Sequence, residues 1–274
     1  MNITTLVENT TISDNLKGEH GLSLYIETTK HKILFDLGSG TLFAENAEKL
    51  DIDIKNIDIV IISHGHYDHG GGLKTFLEIN EKAKIYININ AFDDYYSLRP
   101  GGEIGYIGLD KSLQNNNRII FTKDYYKIDE NLELFANVTK RKLFSEANKI
   151  LKRKINDVFE QDNFNHEQNL IITEKKKTVL IAGCAHNGII NIIDKFKELK
   201  GKTPDYLIGG FHLTSPRFDK NEDFKLIAAI GDIINKYSTM YYTCHCTGII
   251  PYKKLKEKLK EKLNYLSTGS KISI

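Results

Sequence analysis

Short apolar runs separated by turn-forming residues dominate the first third of the chain. Ile3 to Val7, Leu22 to Glu27 and Lys32 to Phe35 have the β-branched and aromatic character of strands, and Thr29-Lys30-His31 predicts a hairpin turn between the last two. Asp36-Leu37-Gly38-Ser39-Gly40 breaks the pattern, and Leu42 to Leu50 resumes with helical spacing. Ile57 to Ile62 is an apolar run that predicts a buried strand, and it leads straight into Ser63-His64-Gly65-His66-Tyr67-Asp68-His69. Gly70-Gly71-Gly72 opens a helix through Leu73, Phe76 and Leu77, and Lys84 to Ile89 follows as a strand. Strand and helix then alternate again: Thr178 to Ala182, a helix over Asn187 to Leu199, and Tyr206 to Ile208. A third cycle has a helix over Asp223 to Tyr237, a strand at Met240 to Thr243 and a helix over Pro251 to Leu263. This alternation predicts mixed α/β layers.

The stretch from Ala91 to His166 is less regular, with loop signals at Arg99-Pro100-Gly101-Gly102 and Asn115-Asn116-Asn117. It reads as an insertion or lid region, about 91–166, carrying its own helix near Phe144 to Val158. No Pro-rich or Ser-rich linker divides the sequence, so residues 1–274 read as a single domain.

Composition narrows the function classes. Hydrophobic residues make up 41% of the 274, enough for a sizeable core. With 38 basic against 36 acidic residues the net charge is only +2, which gives no footing for nucleic acid or a membrane surface, so the expected partner is a small molecule. No apolar run approaches the roughly 20 residues of a membrane span. The opening Met1-Asn2-Ile3-Thr4-Thr5-Leu6-Val7-Glu8 lacks the features of a secretory signal. A cytoplasmic protein with reduced Cys184, Cys244 and Cys246 is expected.

Candidate chemistry is concentrated in the histidine motif. His64, His66, Asp68 and His69 fall within six residues after an apolar strand, and each type is a good metal ligand. In an extended segment His64 and His66 point the same way, so both can hold one ion. The turn that follows lets Asp68 and His69 face a second. A divalent metal is expected, one or two ions per chain. The imidazole-rich ligand set makes zinc the first choice, with manganese, iron or magnesium as alternatives.

This pattern resembles the metallo-β-lactamase superfamily, whose HxHxDH signature stands here as His64 to His69. Asp36-Leu37-Gly38 resembles the family's early strand-end element, Gly183-Cys184-Ala185-His186 the segment supplying a third histidine, and Cys244-His245-Cys246-Thr247-Gly248 the segment supplying the last. The resemblance implies an α/β fold, an αββα sandwich of two mixed sheets flanked by helices, with metal ligands His64, His66, Asp68, His69, His186 and His245. A narrower resemblance, through Glu19-His20-Gly21-Leu22-Ser23, His166-Glu167-Gln168 and Gly209-Gly210-Phe211-His212-Leu213, is to a subgroup that includes a dihydropterin–ribofuranosylaminobenzene-phosphate synthase of methanopterin biosynthesis.

One segment departs from the family pattern. Most two-metal members carry a bridging aspartate at the end of the strand that here reads Leu207-Ile208-Gly209-Gly210-Phe211-His212. Asp205 stands seven residues before His212, roughly 20 Å away along an extended chain, and is a poor substitute. His212 is the better candidate, as a ligand or as a donor to substrate. Alternation turns Cys244 and Cys246 away from His245, which favours packing over a cysteine-based metal site. Cys184 is likewise expected to be buried.

Further candidates are His20, close to the site or structural, and Thr247-Gly248, a substrate phosphate subsite or a plain helix cap. His166-Glu167-Gln168 reads as a polar contact or a loop brace, His31 as an exposed turn residue, and the lysines of Tyr252 to Leu263 as a solvated helix face. The expected function is a metal-dependent hydrolase using metal-bound hydroxide on a small phosphorylated or ester substrate, with Asp68 binding metal and orienting the water. The subgroup resemblance implies an alternative, transfer of a pterin from its diphosphate to an arylamine ribose phosphate. A non-catalytic metal-binding or ligand-sensing protein is the third class.

Overall fold

A computed structural model describes residues 1–274. Its core is a pair of seven-stranded sheets. The first runs, in spatial order, Lys271–Ser273, Asn2–Val7, Ser23–Glu27, Lys32–Phe35, Ile59–Ile62, Lys84–Asn88 and Ile119–Thr122. The second runs Leu263–Tyr265, Met240–Thr243, Tyr206–Gly209, Lys177–Ile181, Asn169–Glu174, Leu132–Phe135 and Tyr125–Lys127. Each combines antiparallel hairpins with parallel central strands: Ile59–Ile62 lies parallel to both its neighbours, as does Tyr206–Gly209.

Three apolar layers explain this architecture. Between the sheets, Ile26, Phe35 and Ile61 of the first pack with Leu134, Ile172 and Ile208 of the second. Outside the first sheet, Val60, Ile62 and Ile85 pack under Phe43 and Phe76 of helices Leu42–Lys49 and Leu73–Ile79. Outside the second, Leu180 and Leu207 pack under Ile193, Ile230 and Leu255 of helices Ile189–Lys200, Phe224–Ile234 and Ile249–Leu259. Strand Ile59–Ile62 is therefore covered on both faces, which is why all four of its residues are apolar and buried. The αββα expectation is met. No helix is long and apolar enough to cross a membrane.

The region 91–166 is divided among several units. Ile119–Thr122 joins the first sheet, while Tyr125–Lys127 and Leu132–Phe135 join the second. Tyr95–Leu98, Ile104–Tyr106, Leu151–Ile155 and Val158–Gln161 form a separate four-stranded sheet. The helix expected near Phe144 to Val158 is absent: a 3-10 turn spans Glu146–Ile150, and a hairpin follows. Asn156 and Asp157 supply the two left-handed residues of that hairpin's turn, a conformation that both tolerate.

Candidate metal centre

Site residues gather where strands of both sheets end. Asp36, Ala185, His212 and His245 all take left-handed backbone angles there, an unusual conformation for non-glycine residues that surrounding hydrogen bonds must hold in place. Asp36 shows how this is done. Its carboxylate accepts from the Ser63 backbone N–H at 2.7 Å and the Ser63 hydroxyl at 2.8 Å, and lies 2.6 Å from His69 Nδ1. Ser63 Oγ also lies 2.8 Å from His64 Nδ1.

His64, His66 and His186 form the first candidate ligand set. Each offers one ligand atom, and these atoms lie within 4.8 Å of one another. Nε2 of each is buried and has no hydrogen-bond partner. The opposite edge of His186 is held by Asn148 Oδ1, 3.0 Å from Nδ1, and His66 Nε2 lies 3.9 Å from the Asp162 carboxylate. Buried imidazole nitrogens left without partners are costly unless an ion takes them. Burial, reinforced by the neighbouring histidines, holds His64 and His186 well below the ordinary histidine value, so their rings are neutral and able to ligate.

Asp68, His69 and His245 form a second set. Asp68 Oδ2 stands 3.6 Å from His69 Nε2 and 3.4 Å from His245 Nε2, and the two nitrogens are 3.3 Å apart. Three donors at about 2.1 Å from one tetrahedral ion stand about 3.4 Å apart, so the spacing suits a zinc-sized ion. His245 Nδ1 is oriented by Asn9 Oδ1 at 2.8 Å, and its backbone N–H donates to Glu8 at 2.6 Å. Burial opposes ionisation of Asp68, yet the facing His69, His20 and His245 hold its carboxyl well below the usual range.

The remaining expectations divide. His20 reaches the site, with Nε2 3.3 Å from Asp68 Oδ2 and 44% of its side chain exposed. His212 does too: its ring lies 4.2 Å from that of His186, and both its nitrogens lack partners. Thr247 and Gly248 do not line the pocket. Thr247 is fully buried and accepts from the Phe211 N–H at 2.8 Å, bracing the segment that carries His212. Gly248 packs so closely on Thr214 that an added Cβ would stand 2.8 Å from its methyl carbon. Thr247 thus braces the neighbouring loop, and Gly248 stands as the N-cap of helix Ile249–Leu259, the plain-cap alternative.

His166, Glu167 and Gln168 are braces as well. His166 Nδ1 accepts from the Gly65 N–H, Glu167 accepts from the N–H groups of His186 and Asn187, and Gln168 donates to the Ile62 and Tyr86 carbonyls. His31 is only partly exposed and pairs with Asp129 at 2.6 Å.

All three cysteines are buried, as expected for Cys184, but Cys246 corrects the expectation from alternation. Cys244 is packed in the core between the sheets, but Cys184 and Cys246 line the pocket. His245 begins a 3-10 turn, His245–Thr247, so the side chains no longer alternate across a strand. Arg217 and Tyr67 at the pocket wall, joined by a 3.2 Å hydrogen bond, were not singled out by the sequence. Arg217 sits on a two-stranded hairpin, Thr214–Ser215 with Lys220–Asn221, that carries no motif.

The chain is similar to several known proteins. Residues 16–108 match the family model of the Metallo-beta-lactamase superfamily. A 7,8-dihydropterin-6-methyl-4-(beta-D-ribofuranosyl)-aminobenzene-5'-phosphate synthase of Methanocaldococcus jannaschii is 28% identical, over 92% of this chain and 88% of that protein. An uncharacterized protein of the same organism is 30% identical over 93% of this chain and 94% of its own length. The crystal structure of a metal-dependent hydrolase of the beta-lactamase superfamily superposes with a TM-score of 0.83 at 30% identity, covering 100% of this chain and 99% of that one.

Proposed function

Because the chain belongs to the metallo-β-lactamase superfamily, we propose that it is a metal-dependent hydrolase acting on a small anionic ester, most simply a phosphoester. The observation that carries this reading is the pair of adjacent ligand sets, one with three unpartnered buried imidazole nitrogens, beside a single pocket. Divalent ions, with zinc as first choice, would be held by His64, His66 and His186 and by Asp68, His69 and His245, and would supply Lewis-acid polarisation of a carbonyl or phosphoryl oxygen and a water of pKa about 7.

The chain's own groups bind, orient and move protons. Asp68 stays ionised and aligns the attacking water through its carboxylate. His20 is the proton partner of Asp68: burial lowers its pKa, but the Asp68 hydrogen bond and charge outweigh this and leave it raised, which suits it to hold a proton for a leaving group. Arg217, the one arginine or lysine lining the pocket, binds the anionic end of the substrate, with the Tyr67 hydroxyl beside it. His212, with both nitrogens free, donates to the substrate oxygen.

A second reading is favoured by one observation, the synthase among the relatives that match over most of the chain. In it, ions held by the same residues would stabilise the diphosphate as it leaves the pterin's methylene carbon, while the amine nitrogen of an arylamine ribose phosphate bonds to that carbon and gives up a proton. Two assays separate the readings: purified protein with a phosphoester panel, and separately with a pterin diphosphate plus the arylamine acceptor. Turnover in the first supports hydrolysis. Turnover confined to the second overturns it.

A further inference from the structure

Between the two ligand sets lies a sulfur atom that neither of them uses. Cys184 is 3% exposed, and its Sγ stands 3.1 Å from His69 Nε2. It groups at ligand spacing with His64 and His69, with His186 and His212, and with His245 and Cys246. A cysteine that merely filled space would have no reason to stand at ligand distance from both histidine sets. A sulfur at about 2.3 Å and a nitrogen at about 2.1 Å from one tetrahedral ion stand about 3.6 Å apart, so the Cys184–His69 contact needs only a small adjustment.

The neighbouring strand end leaves room for this arrangement. Gly210 has no side chain, and a Cβ built on it would stand 2.4 Å from Cys246 Sγ and 3.5 Å from Cys184 Cα. Cys246 donates to the Cys184 carbonyl at 3.5 Å, packing behind the Cys184 backbone. No carboxylate reaches the space between the sets from the Gly209–His212 segment, which carries none.

We propose that Cys184 is a metal ligand shared between the two sets, joining His64, His66 and His186 to Asp68, His69 and His245 through one thiolate. As the sulfur–metal bonds form, the S–H proton leaves to solvent, one proton per chain. A soft thiolate in the shared place favours zinc, iron or cobalt over magnesium.

This inference rests on the reading of the pocket as a metal centre, and the test separates the two. Metal-free protein is loaded with cobalt(II) chloride, bound cobalt is counted by elemental analysis, and the near-ultraviolet sulfur-to-cobalt charge-transfer absorption is recorded. The expected result is that absorption in the unaltered protein and in Cys246→Ala, and its loss in Cys184→Ala and in Cys184→Ser. Cobalt bound without the absorption, or absorption that survives in the Cys184 variants, overturns the shared thiolate and leaves the metal centre standing. No bound cobalt at all overturns both. Should the Cys184 variants fail to fold, cadmium NMR of the unaltered protein and of Cys246→Ala decides. Two resonances displaced to the sulfur-ligated range in both proteins support the proposal, and any resonance in the nitrogen–oxygen range overturns it.

Discussion

Asp36 Oδ2 lies 2.6 Å from His69 Nδ1 while the same carboxylate holds the Ser63 backbone and hydroxyl, so one buried side chain orients ligands of both sets. Asp36→Asn keeps the shape and removes the charge. Metal affinity should fall about 10–100-fold, as for other partners that orient metal ligands. Titration against a chromophoric chelator measures this, and an unchanged affinity would refute the orienting role.

His212 tests the division between ligand and donor. Its ring faces His186, and neither ring nitrogen has a hydrogen-bond partner. For His212→Ala we expect an unchanged metal count per chain and a fall in kcat on the order of 100-fold, the cost of losing one oxyanion donor. A lower metal count would reassign His212 to the ligands.

Arg217 should govern substrate charge preference. For an anionic substrate, Arg217→Ala should raise KM about 10-fold or more, the loss of one charge-assisted hydrogen bond, with little change in kcat. A neutral ester of similar size should not respond. Steady-state kinetics on the pair of substrates provides the check.

Two histidines of one motif should give the metal-free protein opposite pH responses. Burial pushes His66 down to about 3, so below the ordinary value of 6.5 the unfolded chain takes up the proton first and stability falls as pH drops toward 3. Burial alone would lower His69 too, but Asp36 and Asp68 raise it to about 9. Its contribution is complete below 6.5 and is lost as pH rises through 9. Thermal melts of chelator-treated protein should therefore lose stability on both sides of about pH 6.5, and His66→Gln should make the acid limb shallower, the rest of it coming from His64, His186 and Asp68, while leaving the alkaline limb unchanged.

Gly183 is a packing requirement beside the ligands. A Cβ there would stand 2.2 Å from Ser63 Oγ and 3.2 Å from His64 Nδ1. Gly183→Ala should destabilise the fold by about 1–3 kcal/mol, the usual cost of overpacking, and lower metal affinity with it. Denaturant melts with and without zinc measure both effects.

Much of this was legible because it is local. The run Ile57 to Ile62 announces a doubly covered strand, and three histidines with an aspartate beyond it announce a cluster that the fold does bring together. What escaped the sequence depends on backbone turns and distant neighbours. Cys246 faces the pocket only because His245 takes a left-handed angle and starts a 3-10 turn. The hairpin at Asn156-Asp157 hides in a stretch whose apolar spacing also suits a helix. Glu8 and Asn9 support His245 from 237 and 236 residues away, and no spacing rule links them. Strand Lys271–Ser273 is too short to announce itself without its partner, Asn2–Val7.

That long reach also sets a schedule for maturation. His64, His66 and His186 have all been synthesised once about two thirds of the chain has been made. His245 comes later, and its support at Glu8 is completed by Tyr265, whose hydroxyl donates to that carboxylate, and by Thr268, whose hydroxyl accepts from the Glu8 N–H. On a ribosome that releases the chain from its N-terminus, the first set can close around an ion during synthesis. The second must wait until Tyr265 and Thr268 emerge, so a chain cut before them would carry the first group of candidate ligands without the braces of the second.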